Sequence, residues 1–93
     1  MLTEMAAHVF VSGRVQGVGF RNFTREQALQ LQLRGYTRNL SDGRVEIEVE
    51  GERETIERLI QNLWQGPPRS NVTDVEVTWR EPVSLFDQFS VLF

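Results

Sequence analysis

The sequence has no cysteine among its 93 residues and only one histidine, His8. The lack of cysteine excludes disulfide bonds, thiolate catalysis, and zinc or iron–sulfur sites with cysteine ligands. Long apolar runs are also missing, since no stretch approaches the roughly 20 residues that a membrane-spanning helix needs. The N-terminus lacks the basic flank and apolar run of a signal peptide. We therefore expect a cytoplasmic protein with no membrane partner.

The sequence has no large excess of charge of one sign, because 10 Lys and Arg residues and 13 Asp and Glu residues leave a formal net charge of −3. This balance argues against a broad nucleic-acid-binding surface but leaves room for a local basic spot that binds a small anion. A chain of 93 residues can bury one hydrophobic core. We expect a flexible leader over residues 1–7, a single domain over residues 8–93, a monomer, and no nucleic-acid partner.

Hydrophobic periodicity predicts alternating strands and helices. In chain order it indicates a strand over 8–13, a helix over 20–33, strands over 36–40 and 45–50, a helix over 52–65, a strand over 74–79 and a closing strand at 89–93. This βαββαβ order with a short C-terminal strand predicts an α+β fold. The expected architecture is a ferredoxin-like two-layer α/β sandwich, in which two helices cover one face of an antiparallel sheet.

Some individual side chains can also be placed from the pattern. The strand over 45–50 carries a glutamate at every second position, and a solvated face is expected for all three: Glu46, Glu48 and Glu50. Gly51 is expected to cap the second helix. Trp64 and Trp79 fall on apolar stripes and are expected in the core. His8 begins the first strand, several residues before the following loop, and is interpreted as structural.

A glycine-rich loop joins the first strand to the first helix, with glycines at positions 13, 17 and 19. Glycine lets the backbone turn several N–H groups toward one point, and a helix N-terminus follows at once; this combination binds phosphate-like anions. Arg21 lies in the first helical turn, where its planar guanidinium can bind two oxygens of one anion. The pattern alone is equally compatible with a tight turn beside a surface arginine.

Two segments resemble the signatures of the acylphosphatase family. The first is Gly13-Arg14-Val15-Gln16-Gly17-Val18-Gly19-Phe20-Arg21. The second is Gly35-Tyr36-Thr37-Arg38-Asn39-Leu40-Ser41-Asp42-Gly43-Arg44-Val45, reaching on to Gly51. Both occur in the family's order and separation, the resemblance extends over about residues 8–93, and the family's fold agrees with the βαββαβ order.

The resemblance implies an acylphosphatase, which hydrolyses the carboxyl–phosphate bond of acyl phosphates to a carboxylate and inorganic phosphate. It implies two catalytic residues, Arg21 binding the phosphate and Asn39 holding the attacking water. The main-chain N–H groups of the loop would bind the substrate phosphate: Val15, Gln16, Gly17, Val18, Gly19 and Phe20. Neither a metal nor a cofactor is implied. Three positions depart from the family pattern: Gln32 replaces a frequent glycine, Thr37 a small apolar residue, and Gly19 a frequent aromatic residue.

The implied chemistry is reasonable for these residue types. The leaving group is a carboxylate whose conjugate acid has a pKa of about 4, so no general acid is needed. Phosphoryl transfer tends to pass through a loose transition state, so the nucleophile needs positioning more than deprotonation. A neutral asparagine can provide this by accepting a hydrogen bond from water.

Two other functions fit the same fold class. Ferredoxin-like sandwiches also serve as RNA-recognition or small-molecule-binding modules, although the acidic strand would repel a phosphate backbone. A non-catalytic relative could instead handle carbamoyl phosphate within a larger assembly. Because the sequence ends at Phe93, we expect a free-standing enzyme rather than such a domain.

Overall fold

The computed structural model describes residues 3–93, which form a two-layer α/β sandwich with the predicted element order. The elements are β1 (Glu4–Arg14), α1 (Phe20–Gln30), β2 (Arg34–Asn39), β3 (Val45–Glu52), α2 (Arg53–Gln65), β4 (Asn71–Arg80) and β5 (Phe89–Val91). Both helices pack on the same face of one sheet. The predicted ferredoxin-like fold is confirmed.

The sheet has the strand order β4-β1-β3-β2-β5. β1 lies antiparallel to β3 and β4, and β2 lies antiparallel to β3. The closing strand departs from the all-antiparallel prediction, because β5 runs parallel to β2 and pairs Phe89 with Gly35. Since β4 and β5 occupy opposite edges, residues 81–88, here called the crossover, pass from one edge of the sheet to the other.

The core lies between the sheet and the two helices. Alternate residues of β1 and β3 point toward the helices and are fully buried: Ala7, Val9, Val11, Val45, Ile47 and Val49. From the helices, Phe20, Ile56, Leu59 and Leu63 meet them. Burial of this apolar area is the main force that holds the helices on the sheet.

The prediction of a flexible leader over residues 1–7 is wrong for the residues that the structure describes. Met1 and Leu2 lie outside them, but β1 begins at Glu4, which pairs with Glu52. The carbonyl oxygen of Thr3 also accepts a hydrogen bond from the Arg53 N–H at 2.9 Å, at the start of α2. Residues 5–7 were missed because methionine and two alanines carry little strand propensity and no alternation.

Helix α1 has the predicted buried stripe but ends at Gln30, three residues earlier than expected. Gln32 adopts a left-handed conformation with φ 59°. Its N–H donates to the Leu29 carbonyl at 3.1 Å, and the Leu33 N–H donates to the Ala28 carbonyl at 2.9 Å. These two bonds form a Schellman motif, which normally ends in glycine. The position where the family often has glycine is therefore the left-handed residue here.

Helix α2 begins at Arg53, one residue later than predicted, and ends at Gln65 as predicted. Its N-cap is Glu52, whereas Gly51 remains within β3. Trp64 is 48% exposed rather than buried, although Trp79 does pack against the core. Neither α1 nor α2, within residues 3–93, is long and apolar enough to cross a membrane.

The expected solvated acidic face is wrong for Glu46, which is 6% exposed. His8 Nε2 lies 2.7 Å from one Glu46 carboxylate oxygen, and Arg38 Nε donates to the other. Burial alone would raise the pKa of this carboxyl, but the hydrogen bonds from His8 and Arg38 outweigh burial and leave the pKa below its ordinary value of 4.5. His8 therefore takes part in a partly buried polar cluster on the sheet face away from the helices.

Glu50 is also buried, being 1% exposed, because the crossover passes over it. Its carboxylate accepts hydrogen bonds from the N–H groups of Val83, at 2.7 Å, and Ser84, at 3.1 and 3.2 Å. Glu48, between the two buried glutamates, is partly exposed and forms an ion pair with Arg80. Two of the three glutamates are thus covered by distant parts of the chain, which a period-two pattern does not reveal.

Candidate functional site

A cleft of about 150 Å³ lies where the β1–α1 loop (residues 15–19) meets the end of β2 and the C-terminal residues. Among the residues lining it are Arg21 and Asn39, the two predicted catalytic side chains. The full lining is Val15, Gly17, Gly19, Phe20, Arg21, Asn22, Asn39, Val91 and Phe93. The sequence segments around residues 15–21 and 39 therefore converge on one cleft, although they lie on different elements.

The loop reaches the cleft through two glycines in left-handed backbone conformations. Gly17 has φ 74° and Gly19 has φ 81°, values that strain any residue with a side chain. A Cβ added at either glycine would meet nothing within 4 Å. The glycines are therefore required by the backbone path rather than by close packing, and Val15 anchors the loop by burying its side chain in the core.

The N-terminus of α1 opens into the same cleft. Gly19 is its N-cap, and no side chain caps the helix there. The first turn also contains no acidic residue. The N–H groups of the first turn thus lack side-chain partners, and the positive end of the helix dipole is not offset by a carboxylate in that turn. This end of the helix favours an anion.

Arg21 is held by the C-terminal residues. Its Nη1 donates to the Leu92 carbonyl oxygen at 2.9 Å, and its guanidinium lies 4.8 Å from the centre of the Phe93 ring. A guanidinium has five N–H donors, and the bond to Leu92 uses one of them. Arg21 is thus oriented at the cleft with donors left for a ligand. The contacts with Leu92 and Phe93 were not predicted, because the sequence indicated only a closing strand there.

Asn39 is the last residue of β2 and pairs with Val45 across the β2–β3 hairpin. Its Oδ1 is buried and has no hydrogen-bond partner within residues 3–93. A buried acceptor without a partner is costly, so such atoms are rare in folded proteins. In a cleft, an acceptor of this kind is available to a water molecule or to a ligand that can donate.

Asp42 shapes the turn that follows Asn39. The Arg44 N–H lies 3.1 Å from Asp42 Oδ1, and Arg44 Nε lies 2.9 Å from Oδ2. The backbone hydrogen bond from Arg44, with its side-chain hydrogen bond and charge adding to the effect, holds the pKa of the Asp42 carboxyl below its ordinary value of 3.8. The ionised carboxylate accepts both bonds and so stabilises the turn that follows β2.

The predicted binding residues do not all line the cleft. Val18 packs against the hydrophobic core, and the Gln16 side chain extends to the β2–β3 hairpin. Thr37, two residues before Asn39 on the helix-facing side of β2, is fully buried with an unpartnered Oγ1.

Within residues 3–93 no group of three His, Asp or Glu side chains is arranged to hold a metal ion. The roles of Arg21, Asn39 and the loop amides stay predictions.

Comparison with known proteins gives a consistent picture. The acylphosphatase family model matches residues 7–91. A curated acylphosphatase of Pelotomaculum thermopropionicum is 47% identical over 92 residues, covering 99% of this chain and 100% of that protein. The crystal structure of acylphosphatase from Bacillus subtilis superposes with a TM-score of 0.93 at 37% identity, over 96% of this chain and 99% of that one. Full-length HypF, solved in a phosphate- and nucleotide-bound form, contains a similar region: TM-score 0.89 at 34% identity, over 100% of this chain but 12% of HypF.

Proposed function

This chain belongs to the acylphosphatase family and hydrolyses the carboxyl–phosphate bond of acyl phosphates, and we propose that Arg21 and the loop amides bind the phosphoryl group while Asn39 positions the attacking water. The observation that carries this assignment is the shared cleft, which Arg21, Asn39 and the glycine loop line together. The remaining steps follow from the chemistry of each group.

Three features that meet at the cleft support phosphate binding, because each of them offers N–H donors to an anion. The Arg21 guanidinium has donors left after its bond to Leu92, the first turn of α1 has no side-chain cap, and Gly17 and Gly19 let the loop backbone approach a ligand closely. Charge-assisted hydrogen bonds to phosphoryl oxygens are the strong kind. The same donors stabilise the charge on the three non-bridging oxygens as the carboxyl–phosphate bond breaks.

Water positioning is supported by the unpaired Oδ1 of Asn39. A carboxamide oxygen accepts a hydrogen bond from water and so fixes the direction of the oxygen lone pair that attacks phosphorus. As the new P–O bond forms, the bond to the carboxylate breaks with its electron pair leaving on the carboxylate, and the proton that the water loses passes to an oxygen of the phosphate produced. The products are a carboxylate and inorganic phosphate.

Metal and cofactor are not needed for the proposed mechanism. A carboxylate leaves readily, because its conjugate acid is strong, and Arg21 with the N–H groups supplies the positive field that a cation would otherwise provide. Turnover should therefore persist in excess chelator, and loss of turnover that added Mg²⁺ restores would contradict this part. We further propose that the enzyme acts as a monomer in the cytoplasm.

The two other functions considered from the sequence receive different support. The similarity to a 12% portion of HypF shows that this fold also occurs within a larger protein, and that protein was solved with phosphate bound. Curated relatives that this chain covers along their entire length support the free-standing enzyme. An RNA-binding role for the sheet is disfavoured, because the crossover covers part of the sheet face away from the helices. The crossover is held there by its hydrogen bonds to the Glu50 carboxylate.

Replacement of Arg21 tests the proposed phosphate site. Arg21→Ala removes charge-assisted hydrogen bonds, so inhibition by inorganic phosphate should weaken by about tenfold or more and kcat/KM should fall by about a hundredfold or more. Arg25→Ala is the matched control, because it removes the same charge from an exposed position one turn along α1. Normal phosphate inhibition in Arg21→Ala, or an equal loss in Arg25→Ala, would contradict the assignment.

A further inference from the structure

Gln16 lies in the β1–α1 loop, but its side chain reaches across to the β2–β3 hairpin. Its Nε2 is 2.8 Å from the Leu40 carbonyl oxygen and 3.0 Å from the Arg44 carbonyl oxygen. These two carbonyls belong to residues 24 and 28 positions away in sequence, at the base of the turn over residues 40–44. A single half-buried side chain thus joins the loop to the hairpin.

The identity of the partners fixes the orientation of the Gln16 amide. Both are carbonyl oxygens, which only accept, so the NH₂ end must point at the hairpin and each of its two hydrogens has one partner. Each carbonyl also accepts a backbone bond within the turn: Gly43 N–H to Leu40 at 3.1 Å, and Leu40 N–H to Arg44 at 2.8 Å. The turn therefore closes without Gln16, and the Gln16 bonds are additional links between two segments.

These links connect the two halves of the proposed catalytic site. Gln16 directly precedes Gly17, which lines the cleft, and Leu40 directly follows Asn39. The Asn39 side chain makes no hydrogen bond with any residue in the range 3–93, so its position depends on the backbone at the end of β2. The bonds of Gln16 to the Leu40 and Arg44 carbonyls connect the β1–α1 loop to the backbone that follows Asn39.

We propose that the Gln16 side chain is a positioning residue, which holds the Asn39 carboxamide at the correct place relative to the phosphoryl group bound by the loop. This inference rests on the proposed function, because it assumes that Asn39 acts on water and that the loop binds phosphate. Gln16 itself does not line the cleft, although its neighbours Val15 and Gly17 do. The proposal therefore gives a role to a side chain outside the cleft. A small misplacement of a water-holding group slows the chemical step more than it weakens binding.

Gln16→Met tests the role directly, since methionine has a similar length and no donor. We expect kcat to fall by about tenfold to a hundredfold, while the inhibition constant for inorganic phosphate stays within about twofold, because the loop amides and Arg21 remain. Gln27→Met is the matched control, since it removes the hydrogen bond that another glutamine side chain accepts from Asn62 at 2.8 Å, between two helical residues that do not line the cleft. Its kcat should stay at the wild-type value.

The combination with Asn39→Ala separates positioning from other effects. If Gln16 acts through Asn39, then Gln16→Met in the Asn39→Ala background should lower kcat by less than about twofold. An equal loss in both backgrounds, or weakened phosphate inhibition with kcat retained, would overturn the proposal and make Gln16 a residue that shapes the loop. A Gln16→Met chain that does not fold would also overturn it, because the turn closes without these bonds.

Amide hydrogen exchange of the substrate-free protein provides a readout that does not depend on activity. In Gln16→Met the N–H groups of Leu40 and Gly43 should exchange faster, whereas those in α2 should be unchanged. Unchanged exchange in the turn would overturn the link itself. Wild-type activity in Asn39→Ala would instead contradict the proposed function, and the exchange result would still report whether Gln16 holds the hairpin.

Discussion

Replacing Asn39 with alanine should separate catalysis from stability. The Asn39 side chain makes no hydrogen bond within residues 3–93, and its buried Oδ1 is unpartnered, so truncation removes no intramolecular bond. We expect the free energy of unfolding to change by no more than about 1 kcal/mol. The kcat for a simple acyl phosphate such as benzoyl phosphate should nevertheless fall by about a hundredfold or more, which corresponds to about 2.7 kcal/mol in the activation barrier.

The inhibition constant for inorganic phosphate distinguishes the water-holding role from a binding role. It should stay nearly unchanged in Asn39→Ala, because Arg21 and the loop amides are intact. In Asn39→Asp, which has the same shape, the added negative charge at the cleft should weaken phosphate inhibition as well as kcat. If phosphate affinity collapsed in Asn39→Ala while turnover survived, asparagine would be a binding residue and the proposed role would be wrong.

Asn62→Ala is the matched control for this prediction. The Asn62 side chain is half-buried and donates to Gln27 Oε1 at 2.8 Å, and neither residue lines the cleft. Its truncation should lower the free energy of unfolding by about 1 kcal/mol and leave kcat unchanged. The two variants should therefore differ in turnover, with kcat lost in Asn39→Ala and kept in Asn62→Ala, and an equal effect on kcat in both would refute the reasoning.

Two further predictions concern stability. Gln32→Gly should raise the free energy of unfolding by about 0.5–1 kcal/mol in urea titrations, because Gln32 has φ 59° after the end of α1 and glycine adopts this conformation without strain. The control Gln30→Gly, at the last residue of the helix, should lower the free energy of unfolding. A lower free energy of unfolding in Gln32→Gly would contradict the claim that Gln32 is strained. Because the pKa of Glu46 is below its ordinary value of 4.5 in the folded protein, its stabilising effect is present above pH 4.5 and is lost as the pH falls through the folded pKa. The melting temperature of Glu46→Gln should therefore depend less on pH below 4.5, and an unchanged dependence would contradict the assignment.

The parts of the fold that local patterns specify were predictable. The 3.6-residue stripe from Phe20 to Ala28 predicted α1, and the alternation of Val45, Ile47 and Val49 predicted the buried face of β3. What failed depends on partners distant in sequence. Residues 4–7 have no strand pattern and are held by pairing with residues 49–52, and the glutamates opposite the core of β3 are covered by His8, Arg38 and the crossover.

The candidate site divides in the same way. The glycine loop and Arg21 could be placed near one another because they are adjacent in sequence, and the resemblance to known signatures added Asn39. The contacts of Arg21 with Leu92 and Phe93, and of Gln16 with the β2–β3 hairpin, join segments that only the folded chain brings together. A glutamine in a glycine-rich loop carries no periodicity and no charge, so its role could be found only from the structure.

The central claim is that water attacks phosphorus, which hydrolysis in ¹⁸O-labelled water tests most directly. Benzoyl phosphate should be hydrolysed in that solvent by the wild-type enzyme, and both products should be analysed by mass spectrometry, with each product incubated alone to control for exchange. The account predicts one ¹⁸O atom in inorganic phosphate and none in benzoate. Label in benzoate would mean attack at the carbonyl carbon and would contradict the roles proposed for Arg21 and Asn39.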